Sequence, residues 1–292
     1  MRHDYPVTAL QYLPFETSSS NRLVSTNVKG ELGVTLIETD VEGFKLTSTT
    51  EAKISNGPAT ALDVQQDRGH VLAVGEDGTY SVWDATSGKM LVGPTQASES
   101  ALNAAKWISP DSFVVASHSS EYQVWDRRTS NEVPVKVLKA TQGAGNIDRR
   151  VWSLDVNPAR PWLLLSSLSG PSNDLQPSIS FHDLRASTLP VVSNNSLHQG
   201  HIWQVQFHQA EPDYVLSASD DGCLIIWDTT SAFESTSTLK PASIASQLQK
   251  RQNFKKLRND GLSINCFQVD TQHNLVVSAS DSESVSFNLD LI

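Results

Sequence analysis

One layout recurs along this chain and leaves few folds open to it. VLAVGEDGTYSVWDATSG (71–88), FVVASHSSEYQVWDRRTS (113–130), YVLSASDDGCLIIWDTTS (214–231) and LVVSASDSESVSFNLDLI (275–292) share one order of parts. Each runs an alternating apolar stretch into a small polar turn, then a second apolar stretch, then an aromatic-Asp pair or its relic. LVSTNVKGELGVTLIETD (23–40) and LLLSSLSGPSNDLQPSISFHDLRAS (163–187) are weaker copies, the second with a longer turn. Period-two alternation broken by Gly, Asp and Ser predicts β-hairpins, and helical spacing fits none of these stretches.

A further strand candidate precedes each hairpin: VTALQYLP (7–14), ATALDVQ (59–65), LNAAKWISP (102–110), VWSLDVNP (151–158), IWQVQFHQ (202–209) and INCFQVD (264–270). A short outer strand such as KMLVGP (89–94) or VPVKVL (133–138) follows most of them. Asp84 and Asp126 stand about 42 positions apart, and Asp183 and Asp228 about 45, the spacing of four-stranded units with Trp-Asp endings. This is the WD-repeat pattern of an all-β propeller. Six inner strands predict six four-stranded blades in a single domain over 1–292. The last copy reaches the C-terminus with its third strand, which predicts a sixth blade without its outer strand.

YVLSASDDGCLIIWD (214–228) sets two carboxylates side by side and raises the question of chemistry. In WD repeats a Gly-His before the first strand, a Ser in the second, an Asp in the turn and the Trp of the third form one buried hydrogen-bond network. The residues that match are Gly200-His201, Ser217, Asp221 and Trp227. A buried carboxylate is stable only when its lone pairs are engaged, and imidazole, hydroxyl and indole donors supply the partners. Asp221 is therefore read as structural and Asp220 as its exposed turn neighbour. Asp77-Gly78 repeats the turn without the upstream histidine. The third unit keeps Ser117 and Trp125 but has Ser-Ser-Glu at its turn, which predicts an incomplete network.

The remaining composition argues for binding rather than chemistry. GxxxxGK[ST] and G-x-S-x-G are absent, and His118, His182 and His208 lie on or beside strands without a nucleophile pattern. No catalytic residue, metal site, cofactor or small-molecule substrate is implied. Cys223 and Cys266 sit in apolar alternating runs and read as small core residues. A formal charge of −10 and a pI near 5.2 disfavour direct nucleic-acid contact. The opening MRHDYPVTALQYL has no continuous apolar core, and no apolar run approaches the ~20 residues that a membrane-spanning helix needs. A soluble protein of the cytoplasm or nucleus is expected.

Two local features could hold partners. PASIASQLQKRQNFKKLRNDG (241–261) is an insertion between the fifth and sixth units. Ile244, Ala245, Leu248, Phe254 and Leu257 allow a short amphipathic helix, with Lys250, Arg251, Lys255, Lys256 and Arg258 crowding its second half. A solvated linker is the plain reading, and a protein-docking element formed by Lys250 to Arg258 is the functional one. Separately, Trp125-Asp126-Arg127-Arg128 and His182-Asp183-Leu184-Arg185 resemble the double box of WD-repeat substrate receptors of cullin-4 ubiquitin ligases. That resemblance implies adaptor binding through Arg128 and Arg185.

VWSLDVNPARPWLLLSSL, then SISFHDLRASTLPVVSNNSLHQGHIWQVQFHQAEPDYVLSASDDGCLIIWD, and the ending GLSINCFQVDTQHNLVVSASDSESVSFNL resemble the forty-three-kilodalton WD-repeat nucleoporin family. AVGEDGTYSVW (73–83) fits an earlier blade of the same family. Its members are peripheral subunits of the Y-shaped outer-ring complex of the nuclear pore. The resemblance implies a scaffold at the nuclear envelope that docks onto a helical scaffold nucleoporin and supports protein and messenger-RNA transport. It also implies seven blades, the additional one preceding this chain's first. A cullin-4 receptor or a generic WD-repeat interaction scaffold is the alternative.

Overall fold

The alternation read from the sequence is realised as six antiparallel sheets, one for each copy. The structure, a computed structural model, describes residues 5–13, 20–40, 43–129, 132–140, 149–169, 177–185, 192–194, 198–230, 254–289 and 291. Blade one is β1 (Val7–Leu13), β2 (Ser20–Asn27), β3 (Glu31–Asp40) and β4 (Gly43–Lys53). Blade two is β5 (Ala59–Gln65), β6 (His70–Gly75), β7 (Thr79–Asp84) and β8 (Lys89–Gln96). Blade three is β9 (Leu102–Trp107), β10 (Ser112–Ser117), β11 (Glu121–Asp126) and β12 (Lys136–Lys139). Blade four is β13 (Arg150–Val156), β14 (Leu163–Ser169), β15 (Ser178–Asp183) and β16 (Val192–Asn194). Blade five is β17 (Ile202–Phe207), β18 (Tyr214–Ser219), β19 (Cys223–Asp228) and β20 (Phe254–Asn259). Blade six is β21 (Ile264–Asp270), β22 (Leu275–Ser280) and β23 (Ser284–Leu289). Strand order in every sheet follows chain order, and the pairing is antiparallel throughout blades one, two, four, five and six and from β9 to β11 in blade three. The chain is a WD-type β-propeller protein whose sixth blade has three strands among the described residues.

The first three blades, but for Glu121 and the end of β12, lie in one compact unit (Met1–His118 with Tyr122–Val137), and the last three lie in another (Leu138–Ile292 with Ser119–Glu121). Within the first, one core joins blades one and two through Leu13, Val24, Leu62, Val71 and Trp83, and another joins blades two and three through Leu72, Tyr80, Phe113 and Trp125. Within the second, Leu165, Phe181, Val205, Phe207 and Trp227 join blades four and five. Leu216, Leu224, Ile226, Phe267 and Val276 join blades five and six. Central strands such as β14 and β18 are covered on both faces, so they read as near-continuous apolar runs.

Neighbouring inner strands are also tied by polar bonds of one kind. Asp63 Oδ2 on β5 accepts the Trp107 N–H of β9 at 2.8 Å. Asp155 Oδ2 on β13 accepts the Phe207 N–H of β17 at 2.7 Å. Gln204 on β17 accepts the Phe267 N–H at 2.9 Å and donates to the Phe267 carbonyl at 3.0 Å. Burying these groups is tolerated because each finds a partner. Near its first residues every inner strand carries a register irregularity, which sets Trp152, Trp203 and Asn265 at bulges in β13, β17 and β21.

Blade six breaks the pattern of two covered faces. β22 alternates between buried and partly exposed positions, and on β23 Val285, Phe287 and Leu289 are 60%, 67% and 65% exposed. These three pair across to Ala279, Val277 and Leu275, so they line one side of the sheet. That face also carries Cys266, which is exposed and not the core residue expected, whereas Cys223 is buried.

Candidate protein-docking site

Blade five contains the expected network with a different histidine. His198 Nε2 lies 2.7 Å from Ser217 Oγ, and its Nδ1 lies 3.1 Å from Asp221 Oδ2. The Trp227 indole N–H donates to Ser217 Oγ at 3.1 Å. Every hydrogen is used if the indole gives to the hydroxyl, the hydroxyl to Nε2, and Nδ1–H to the carboxylate. Asp221 also accepts the Gln199 N–H at 2.9 Å and the Cys223 N–H at 2.9 Å. Burial alone would raise the Asp221 pKa, but the hydrogen bond from His198 and the two backbone donors together hold it well below the carboxylate range.

His201, expected in this role, lies outside the network. Gly200 packs under the turn, where an added Cβ would meet Asp220 Cβ and Asp221 N at 2.7 Å. The histidine that reaches Ser217 is therefore the one before the glycine. His201 packs instead between Trp152 and Trp203, at ring centroid distances of 4.5 and 4.2 Å. Asp220 is exposed and its Oδ1 accepts the Trp203 indole N–H at 2.8 Å.

The other turns follow their own chemistry. Asp77 Oδ1 accepts from the Thr79 N–H and hydroxyl, and its Oδ2 accepts the Asn56 N–H, the same backbone bond that Gln199 gives Asp221, while Ser55 at the histidine's place donates to the Gly57 carbonyl. In blade three the Trp125 indole N–H has no acceptor among the described residues, in keeping with an incomplete network. In blade four His182 occupies the tryptophan's place, and burial pushes its pKa down to about 3. Among the described residues no group of three or more His, Cys, Asp or Glu is placed to hold a metal ion.

The second half of the insertion is a strand and not part of a helix. Phe254, Lys255, Lys256, Leu257 and Arg258 belong to β20, which pairs with β19 from Trp227↔Phe254 to Cys223↔Asn259. An isolated short helix is marginal in water, whereas the open edge of β19 supplies a ladder of backbone partners. Lysines on an outer strand suit an edge that must stay soluble. Lys255 and Lys256 are exposed, while Phe254 and Leu257 pack on the cores either side of blade five. Arg258 is no free contact residue, since its side chain is 11% exposed. Its guanidinium donates to Ser280 Oγ and Ser284 Oγ at 3.1 and 2.5 Å, to Ser278 Oγ and the Ser278 carbonyl at 3.2 and 3.3 Å, and to Asp260 at 2.5 Å. It therefore ties blade five to the hairpin of blade six. Lys250, Arg251 and the proposed helical residues 244–248 lie outside the described residues.

Arg128 and Arg185 adopt the same local arrangement. Each lays its fork on the aspartate two residues before it, Arg128 on Asp126 at 3.0 and 2.6 Å and Arg185 on Asp183 at 3.0 and 2.8 Å. Arg185 also covers the Trp162 ring at 3.5 Å. Arg128 is the more exposed, at 70% against 49%.

The WD domain, G-beta repeat family matches residues 193–228, which contain the complete network of blade five. The mouse protein "Nucleoporin Nup43" is 25% identical over 194 residues, covering 66% of this chain and 47% of that protein. "Nucleoporin Nup43" of Homo sapiens is 24% identical over 248 residues, covering 82% of this chain and 61% of its own length. The chain resembles the Nup43 nucleoporins. A third relative, "Nuclear pore complex protein nup43" of Dictyostelium discoideum, is 22% identical over 56% of this chain. The chain thus spans about half to three fifths of the mouse and human Nup43 sequences it matches. A chain in the "Crystal Structure of Mitotic Checkpoint Complex" superposes with a TM-score of 0.68 at 13% identity, covering 99% of this chain and 76% of that one, and this likeness concerns the fold alone.

Proposed function

We propose that the chain, read as one propeller domain over 1–292, is a structural component of the nuclear pore complex at the nuclear envelope. It acts by binding proteins and not by catalysis. Its partners are a helical scaffold nucleoporin and other subunits of the Y-shaped outer-ring complex, and its role is to support pore assembly and the transport that depends on it. The observation that carries this reading is the similarity to human Nup43 across 82% of the chain. The open apolar face of β23 adds a surface of the kind that partners cover, since contiguous exposed apolar area marks interaction sites. Lys255 and Lys256 on β20 are proposed contacts at its solvent edge.

The test is affinity purification of the tagged chain from cells, with imaging of the same fusion. Recovery of outer-ring nucleoporins and a fluorescent nuclear rim support the reading. Recovery of a cullin-4 adaptor alone, lost in Arg128→Ala/Arg185→Ala, overturns it in favour of the ligase reading.

A further inference from the structure

Three rings and two carboxylates meet at one end of the inner strands of the second unit. The bulges in β13 and β17 turn Trp152 and Trp203 out of the regular alternation of their strands. Bulges commonly re-aim a side chain in this way. Trp152 stands edge-on to His201 at 81° and to Trp203 at 77°, the second pair with centroids 5.7 Å apart. All three are half-buried, held by one another and still partly open to solvent. A hydrogen-bonded chain then runs from blade five to blade six. Trp203 Nε1–H donates to Asp220 Oδ1 at 2.8 Å and to Ser263 Oγ at 2.9 Å, Ser263 Oγ donates to Asn265 Oδ1 at 2.6 Å, and Asn265 Nδ2 donates to Asp281 Oδ1 at 2.5 Å. Asp220, Asn265 and Asp281 are exposed.

We infer that this end of blades four to six is a docking site for an arginine-bearing segment of a partner protein. The rings contact one another too closely to enclose a ligand between them, so they present ring faces and not a cage. A guanidinium stacks on such a face and pairs in the same plane with a carboxylate, which a tryptophan-aspartate neighbourhood offers and an ammonium matches less well. The rings are already locked, Trp203 by its one indole N–H shared between Asp220 and Ser263, so docking immobilises little further side chain. Tryptophan is also the residue type enriched where interface energy concentrates. The protein's charge of −10 favours a cationic partner at long range. Arg149, just before β13, turns its guanidinium to Ser178 Oγ at 2.9 Å. This inference stands whether or not the chain works at the nuclear pore.

The probe is a fluorescein-labelled peptide alternating glycine and arginine, compared by anisotropy at low salt with the same peptide bearing citrulline or glutamate for arginine. The chain is expected to bind the arginine peptide and neither of the others. Trp152→Ala and Asp220→Asn are each expected to weaken binding about tenfold. Asp270→Asn, which makes the same charge change at the opposite end of β21, is expected to leave it unchanged. Circular dichroism and melting establish that each variant is folded, and exposed Asp220 serves where Trp152→Ala does not fold. Preference for the glutamate peptide, equal binding to citrulline and arginine, or equal weakening by Asp270→Asn and Asp220→Asn would each overturn the inference.

Discussion

Replacing His198 with alanine removes the centre of the blade-five network and leaves its two neighbours in place. The His198 side chain has no solvent exposure. Its loss strips one donor from the ionised Asp221 carboxylate, and a hydrogen bond to a charged group contributes about 1.5–3 kcal/mol. It also leaves the Ser217 hydroxyl, already accepting from Trp227, without the acceptor at 2.7 Å. An unsatisfied buried hydroxyl costs about 1–3 kcal/mol, some of which water entering the vacated space offsets. A net destabilisation of about 3 kcal/mol follows, a fall in melting temperature of about 6–12 °C for a domain this size. Differential scanning calorimetry of His198→Ala, His201→Ala and Asp221→Asn reads it directly. His201→Ala, which removes only ring contacts, is expected to cost about 1 kcal/mol. In the double variant His198→Ala/Asp221→Asn the losses should fall short of additivity by about 1–2 kcal/mol. If His201→Ala proves as damaging as His198→Ala, or the two losses simply add, the hydrogen assignment is refuted.

Asp221 also makes the stability depend on pH. Its folded pKa lies below the ordinary value of 3.8, so the stabilisation is complete above that value and fades as the pH falls through and below it. The advantage of the wild-type chain over Asp221→Asn should therefore shrink on acidification below about pH 4, and urea midpoints across that range check it. Gly78 has φ +77° and would drive an added methyl into the Ser98 carbonyl, so Gly78→Ala should cost about 2 kcal/mol or more, read as a lower urea midpoint. Arg258→Gln should cost about 2 kcal/mol and speed amide exchange over residues 278–284, where its hydrogen bonds end. Phe287→Ser, at a position 67% exposed, should change stability by less than about 0.5 kcal/mol yet reduce dye binding and self-association, measured by fluorescence and light scattering.

The hairpins were legible because strands covered on one or both faces leave a period of two or an apolar run in the sequence, and Asp-Gly turns at Asp77-Gly78 and Asp221-Gly222 mark where they reverse. The three strands of the sixth blade among the described residues agree with the last copy ending on its third strand. The histidine of the network was misplaced by three residues, because the spacing of a motif does not say which side of Gly200 reaches under the turn. LHQGH offers two candidates, and only the close packing of Gly200 on Asp220 and Asp221 decides between them. FKKLRN read as a helix end because its two lysines and arginine mask a weak alternation. What makes it a strand is the vacant edge of β19, which is distant in sequence. The aromatic cluster was invisible for a related reason. Trp152 and Trp203 are about fifty residues apart, and a bulge, unlike a turn, leaves no residue signature of its own.

The ties between inner strands have a consequence for how such a chain can change. Asp63, Asp155 and Gln204 each reach a main-chain group on the following blade. A bond between two side chains obliges two positions to vary together. A bond from a side chain to a peptide group leaves the receiving position free, since any residue but proline presents the same N–H. Each blade can therefore drift in sequence without consulting its neighbour, provided its own reaching side chain remains. An architecture joined this way can hold its shape at 13% identity, because much of its polar joinery is written in the backbone that all sequences share.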